Sequence, residues 1–313
     1  MTRSKLALAA LCLLVAVSAN ALVNRSFVAS TGNDANDCSR ATPCRSFTAA
    51  LAVTNANGEI IALDSAGYGS SLTINTSISV IAPTGIYAGM TSSSGDAITV
   101  NAPSAVVVLR GLYLNAVGGM RGIVANDVGA LHIENCVVAG FQESGIEFYA
   151  ASSSASLFVN DTTSRRNGNT FHTGAGIRVQ GTDATHQAYA SIENCRLEQN
   201  GSGGLATVDA GVVAFEYSQV TVRHSVVAGN ARGITVGGPF ALITVEDSEV
   251  SGNIVGLLGT VNQGAQLRVS NTVITHNTLY AIEAPGLNVT SRGNNTLIDN
   301  AAAEIFSGTF AAQ

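Results

Sequence analysis

The sequence predicts an all-β fold: a right-handed parallel β-helix solenoid with a short N-terminal capping helix. Three observations carry that prediction. Strand and turn formers dominate the composition. One segment pattern recurs about every two dozen residues, and further columns of Asn, Gly and small residues keep step with it.

Of the 313 residues, 46% are apolar and 12% charged, with 33 Gly, 5 Pro and no Trp. A disordered chain would combine low hydrophobicity with high charge. Val, Ile, Thr, Ser, Asn and Gly suit short strands joined by tight turns. Only one stretch reads convincingly as a helix.

The pattern appears at 131–138, 157–164, 190–197, 220–227, 243–250 and 267–274, with an upstream copy at 107–114 and a last one opening at 287. Its third residue serves as an anchor. The anchors are Leu109, Ile133, Val159, Ile192, Val222, Val245, Val269 and Val289, spaced by 24, 26, 33, 30, 23, 24 and 20 residues. Two residues later come Asn135, Asp161, Asn194, His224, Asp247 and Asn271. Eight later come Asn167, Asn200, Asn230, Asn253 and Asn277. Further on, Gly precedes an aliphatic residue at Gly122-Ile123, Gly145-Ile146, Gly176-Ile177, Gly204-Leu205, Gly233-Ile234 and Gly256-Leu257.

Such columns imply coils stacked one strand spacing apart, about 4.8 Å, because a single coil cannot bury its apolar face alone. Asn tolerates left-handed backbone and can bond to the Asn above and below it. Gly is expected to serve the same bends. A β-propeller would need longer repeats of four antiparallel strands. Leucine-rich repeats need a different spacing.

Each segment follows in order. Residues 1–21 read as a signal peptide: Arg3 and Lys5, a twelve-residue apolar run from Leu6 to Val17, then Ala19-Asn20-Ala21 as a cleavage site. The run is too short to span a bilayer. Residues 22–58 read as an N-terminal cap, with a helix from Ser46 to Ala56 that Ser46 caps and Gly58 ends. Cys38 and Cys44 lie in that cap and are expected to form a disulfide, as suits an exported chain. Residues 59–313 read as the β-helix, closed at its far end by a cap over 301–310. The longest insertion, 168–188, is expected to project as a loop carrying His172, Arg178, Asp183 and His186. Cys136 and Cys195 fall in one small-residue column two coils apart, about 9.6 Å, too far for a disulfide. Both are expected to be buried free thiols.

Without residues 1–21 the chain would hold 13 Arg, no Lys and 21 acidic residues, a net charge of −8. That balance argues against nucleic acid and anionic membranes as partners.

The stretches Phe27–Asn36, Pro43–Phe47, Ala49–Leu51, Gly58–Ile61 and Gly67–Gly69 resemble the opening segment of exported β-helix proteins. With the Asn and Gly-Ile rhythm that follows, the chain from 26 to 306 resembles the right-handed β-helix repeat family of the pectin-lyase-like superfamily. That resemblance implies the fold. For activity it implies any of polysaccharide lyases, hydrolases, epimerases, esterases, adhesins or non-catalytic proteins, so the chemistry rests on the residues.

Enzymes of this kind work on an outer strand face. Hydrolases need two carboxyl groups about 5–9.5 Å apart. Calcium-dependent lyases need clustered carboxylates and a base such as Arg or Lys. The outward ladder beside the Gly-Ile column reads Val124, Glu147, Arg178, Ala206, Thr235, Leu258 and Glu283. Glu147 and Arg178 are its charged neighbours and the candidate catalytic pair. As a plain ion pair they would contribute little. Asp161, Arg165 and Arg166 are the candidate substrate contacts, since an Arg pair grips carboxylates; otherwise they are an exposed turn. A second ladder, Glu134, Asn160, Glu193, Arg223, Glu246 and Ser270, reads as cross-strand pairing on a solvated face. No metal site is expected, because His172 and His186 lack a third ligand. Calcium enters only with a lyase. The expected function is therefore an exported, non-catalytic protein that binds a glycan or partner or serves as a scaffold. The competing expectation is a polysaccharide lyase, hydrolase or epimerase.

Overall fold

Each turn of the chain lays down three strands, and each strand pairs in parallel with its counterpart one turn on. The structure, a computed structural model, describes residues 22–169, 174–201, 209–261, 264–286, 288–302 and 305–311. The expected signal peptide, His172 and Gly204-Leu205 lie outside the described residues. Among the described residues the strands form one sheet of 19 and one of 10. The short sheet is built from three-residue strands such as Val137–Ala139, Thr163–Arg165 and Arg196–Glu198. The long sheet takes the other two strands of each coil, and Ile98–Arg110 and Ile123–Glu134 run through both positions without a break. The fold is the all-β parallel β-helix that the periodicity predicts.

The anchors stack in register. Leu109 pairs with Ile133, Ile133 with Val159, and the file continues through Ile192, Val222 and Val245 to Val269. The last coil differs: Val289 pairs with Leu267, and Ser291 stands opposite Val269. Gly293, at φ 91°, then takes the left-handed bend two residues on. That bend is held in the earlier coils by Asn135, Asp161, Asn194, His224, Asp247 and Asn271, all at φ between 45° and 53°. The inward aliphatic residues form one continuous core, with Ile123, Ile146, Ile177, Val212, Ile234 and Leu257 fully buried. Each such burial stabilises by about 1.5–3 kcal/mol.

The Asn column forms a buried ladder. The amide of Asn167 donates to Asn200 Oδ1 at 3.0 Å, and the same bond repeats from Asn200 to Asn230 (3.1 Å), Asn253 (3.0 Å) and Asn277 (3.1 Å). Asn300 extends it by one step at 2.8 Å. Each Oδ1 also accepts the backbone N–H of the Asn before it.

The Gly-Ile glycines have another role than the expected one. Among the described ones, Gly122, Gly145, Gly176, Gly233 and Gly256, none has a positive φ. A Cβ on Gly122, Gly233 or Gly256 would instead lie 2.3–2.5 Å from the carbonyl oxygen of the next coil. These positions need Gly for close approach between coils. The left-handed bend just before the Asn ladder is held by Gly140, Arg166, Gln199, Gly229, Gly252 and His276.

The helix is shorter than expected, Phe47–Val53. Ser46 caps it, its Oγ accepting the Ala49 N–H at 3.2 Å. Thr54 ends it by donating its hydroxyl to the Ala50 carbonyl at 2.6 Å, and the chain enters the strand Thr54–Ala62. That strand pairs with Val23–Val28, so residues 22–58 hold the helix and also the first rung of the sheet. Cys38 and Cys44 form a disulfide with their Cα atoms 4.6 Å apart. Cys136 and Cys195 are free and buried. At the far end, the segment expected as a cap adds a rung, Gly308–Thr309, against Val289–Ser291.

The stretch 168–188 is not one loop. Ala175–Gly181 is a strand of the long sheet, and Arg178 sits within it. The extra residues divide between its two corners, because the Gly176-Ile177 step must stay in register with Gly145-Ile146. Asp183 and His186 close a tight turn at the second corner, with Nδ1 2.8 Å from Oδ2.

Candidate functional site

The strands that follow the Gly column carry Glu147 and Arg178 on the side away from the core. Much of that side is covered: Val124, Val213 and Thr235 are fully buried there, contrary to the outward exposure expected of this ladder. Parallel pairing places Thr99, Val124, Glu147, Arg178, Val213, Thr235, Leu258 and Glu283 in one file. Val213 holds the position expected for Ala206. The chain inserts extra residues after Asn200, so Gly211-Val212 makes the step that Gly204-Leu205 was expected to make.

Glu147 and Arg178 are neighbours as expected, but their contact is loose: Nη1 lies 4.0 Å from Oε1. That exceeds hydrogen-bond distance. Glu147 is held more firmly from the other side. Its Oε2 accepts from Arg121 Nη1 at 3.2 Å and from the Tyr149 hydroxyl at 3.0 Å, and its side chain is only 5% exposed. Arg121 also grips Asp96 with two parallel bonds of 2.9 Å and lies 3.8 Å from Glu143. Three carboxylates from two coils thus converge on the guanidinium of the coil between them. The Asp96 contact, reinforced by Glu147, raises the Arg121 pKa above its ordinary value. Burial, with Glu147 beside it, pushes the Tyr149 hydroxyl up to about 12.

Arg178 is left with spare capacity. One amino group donates to Gln180 Oε1 at 2.9 Å. Its guanidinium lies 4.9 Å from the Phe215 ring centroid and 5.7 Å from that of Tyr149, a cation–π arrangement. The side chain is 28% exposed. One coil further on, Asp209 accepts the Gly174 N–H at 2.8 Å. Burial raises its pKa and lowers that of Arg232 nearby.

Asp161, Arg165 and Arg166 are not brought together as one group. Asp161 occupies the left-handed bend before the strand Thr163–Arg165 and accepts from the Asn160 amide at 2.9 Å. Arg165 is the last residue of that strand and Arg166 follows it. They flank a notch of 290 Å³ whose floor is Ala228-Gly229, two residues without bulk. Arg166 donates to Gln199 Oε1 at 3.1 Å.

The second ladder is in register from Glu134 to Ser270. Arg223 pairs there with Glu246 at 2.9 Å and Arg110 with Glu134 at 2.7 Å. Burial pushes the Cys136 thiol up to about 11 and that of Cys195 up to about 12. Among the described residues, no group of three or more His, Cys, Asp or Glu is placed to hold a metal ion. No helix there is long and apolar enough to cross a membrane.

Arg121, Asp96, Glu143, Tyr149 and Gln180 escape a reading of single columns. Asp96 and Arg121 stand two residues before the Ile of their coils, Tyr149 and Gln180 three after. Reading those two offsets beside the Glu147 column would have found four of the five.

A comparison with curated protein sequences gives no match. Several solved structures share the architecture. Pectate lyase Pel9A superposes with a TM-score of 0.64 at 18% identity, over 92% of this chain and 80% of that one. An alginate lyase from Paenibacillus sp. str. FPU-7 gives 0.61 at 13%, over 92% and 100%. XylC in complex with xylose gives 0.56 at 9%, over 88% and 70%. At these identities the likeness is one of fold. The sequence profile of the right handed beta helix region matches residues 121–302, more than half of the chain. With its parallel coils in register over that span, the chain belongs to the right-handed β-helix family.

Proposed function

We propose that this is an exported, non-catalytic β-helix protein that binds acidic polysaccharide on the outer face around Arg178. The observation that carries the reading is the division of labour between two arginines. Arg121 engages Asp96, Glu143 and Glu147. Arg178 is 28% exposed with its Nε buried and without a hydrogen-bond partner, and two aromatic rings lie against its guanidinium. A planar cation fixed in this way suits a sugar carboxylate. Carboxylates so engaged are poorly placed to serve as a general acid–base pair. Two structural neighbours named as lyases of pectate and alginate make uronate polymers the first ligands to try. The local disulfide supports export.

Native gels cast with polygalacturonate or alginate test the proposal. The chain should be retarded in at least one of them. Arg178→Ala should abolish retardation, and Arg178→Lys should keep part of it, since charge survives without the planar fork. Unsaturated or reducing ends released by the wild-type chain and lost in Arg178→Ala would overturn the non-catalytic reading. The Glu147–Arg178 pair would then belong to an enzyme.

A further inference from the structure

We propose a second carbohydrate site, for neutral sugars, in the corner groove built on Tyr87 and Tyr113 near the N-terminal end of the rod. It does not depend on the Arg178 reading. The groove encloses 630 Å³. That lies within the range of small-ligand sites, about 300–1,000 Å³.

Its platform arises from a missing side chain. Gly89 stands opposite Tyr113 in the short sheet. The Tyr87 ring lies across Gly89, where a Cβ would come within 2.7 Å of it. There it packs against Tyr113, with centroids 4.9 Å apart and planes tilted by 45°. The two residues remain 43% and 38% exposed, although each is large and apolar enough to favour burial. Neither hydroxyl has a hydrogen-bond partner among the described residues, so both are open to a ligand.

The walls are fixed in advance. The Tyr87 N–H donates to Ser65 Oγ at 3.0 Å, and its carbonyl accepts the Ala66 N–H at 2.9 Å. Residues 83–86 form a turn closed by the Ile86 N–H on the Pro83 carbonyl at 3.0 Å, with Gly85 at φ 89°. Positive φ at that third position marks a type II turn, which needs Gly there. Gly111, at φ 74°, lets the next coil pass: a Cβ there would come 2.5 Å from the Ala82 oxygen.

Charge selects the ligand class. The one cation in the lining, Arg110, is neutralised by Glu134 at 2.7 Å. No net charge remains to hold an anion. What remains is two flat rings, apolar walls from Ile61 and Ile81, and the Asn135 amide at the rim. A pyranose matches this, with an apolar C–H face for the rings and a belt of hydroxyls for the polar rim.

The test is calorimetric titration of the full chain with cellohexaose, mannohexaose and xylohexaose. At least one should bind. Tyr113→Ala and Tyr87→Ala should each weaken that binding about tenfold, the scale of one lost stacking contact. Tyr189→Ala, an exposed tyrosine outside the groove, and Arg178→Ala should leave it unchanged, and circular dichroism should show every variant folded. Three results would each overturn the site: no binding by any of the three sugars, binding that survives both groove variants, or binding that disappears with Arg178→Ala. Loss of polygalacturonate retardation in Arg178→Ala with neutral-sugar binding intact would separate the two sites.

Discussion

Replacing Asn230 by Ala removes four hydrogen bonds from the centre of the Asn ladder. The Asn230 amide donates to the Leu197 carbonyl at 2.9 Å and to Asn253 Oδ1 at 3.0 Å. Its Oδ1 accepts the Asn200 N–H at 2.8 Å and the Asn200 amide at 3.1 Å. Two of the partners keep other bonds: Asn253 Oδ1 retains the Asn230 N–H, and the Asn200 amide retains the Ser164 carbonyl. The Asn200 N–H does not, and Leu197 loses its amide donor. A buried polar group left without a partner costs about 1–3 kcal/mol. One orphan and several weakened groups therefore predict a loss of about 2–4 kcal/mol. Asn300→Ala supplies the internal control. Asn300 makes equivalent bonds at the open end of the ladder but is only half-buried, so water can replace it. Its loss should cost about 1 kcal/mol or less. Urea unfolding followed by far-ultraviolet circular dichroism reads both values. A cost for Asn230→Ala within about 0.5 kcal/mol of zero, or below that of Asn300→Ala, would refute the ladder as a source of stability.

Three other expectations follow from the geometry. Gly233→Ala puts a Cβ 2.4 Å from the Gly256 oxygen and 2.7 Å from Val250; it should cost about 2–4 kcal/mol in the same unfolding assay, far more than an Ala tolerated in a strand. Arg166→Gly relaxes a left-handed residue at φ 55° and should leave stability unchanged or raise it by about 1 kcal/mol, since Gly carries no Cβ penalty there; a marked loss would mean that the Gln199 contact outweighs the strain. The N-terminal segment should be acid-labile: the Ser30 hydroxyl, then Tyr68, hold Asp64 below the usual carboxylate range, and at Asp34 the Ser46 hydroxyl and the Ser46 and Arg45 N–H groups outweigh the upward push of burial. With folded pKa values below the unfolded 3.8, the unfolded chain binds more protons, so this contribution is complete above that value and fades as pH falls through and below it. Thermal melts across acid pH should show the decline, and Asp64→Asn should flatten it.

The coil register was legible because the coils repeat an inward anchor and a left-handed bend, and from Asn167 onward a ladder Asn. A solenoid that buries like over like repeats all three. The reading slipped where that logic is local. Val289 resembles an anchor, but the final turn is shortened and Ser291 takes the place. Gly204-Leu205 matches the sequence pattern, but Gly211-Val212 makes the step. The Gly column was visible, whereas its cause was not: the clash involves the carbonyl of another coil, which no spacing reveals. The candidate site shows the same limit. Glu147 and Arg178 share a column and could be paired on paper. Arg121 gathers carboxylates from two coils and three column offsets, and only the folded stack shows that it, not Arg178, is the main partner of Glu147. The tyrosine platform escapes sequence reading altogether, because Tyr87 reaches across Gly89 into a column that is not its own.

The most direct measurement on the central claim is calorimetric titration of the purified chain with polygalacturonate and alginate oligomers, with each sample assayed afterwards for new chain ends. Reversible heat that vanishes in Arg178→Ala, with oligomers recovered intact, is the predicted result. Oligomers cut by the wild-type chain, or heat indifferent to the loss of Arg178, would contradict it.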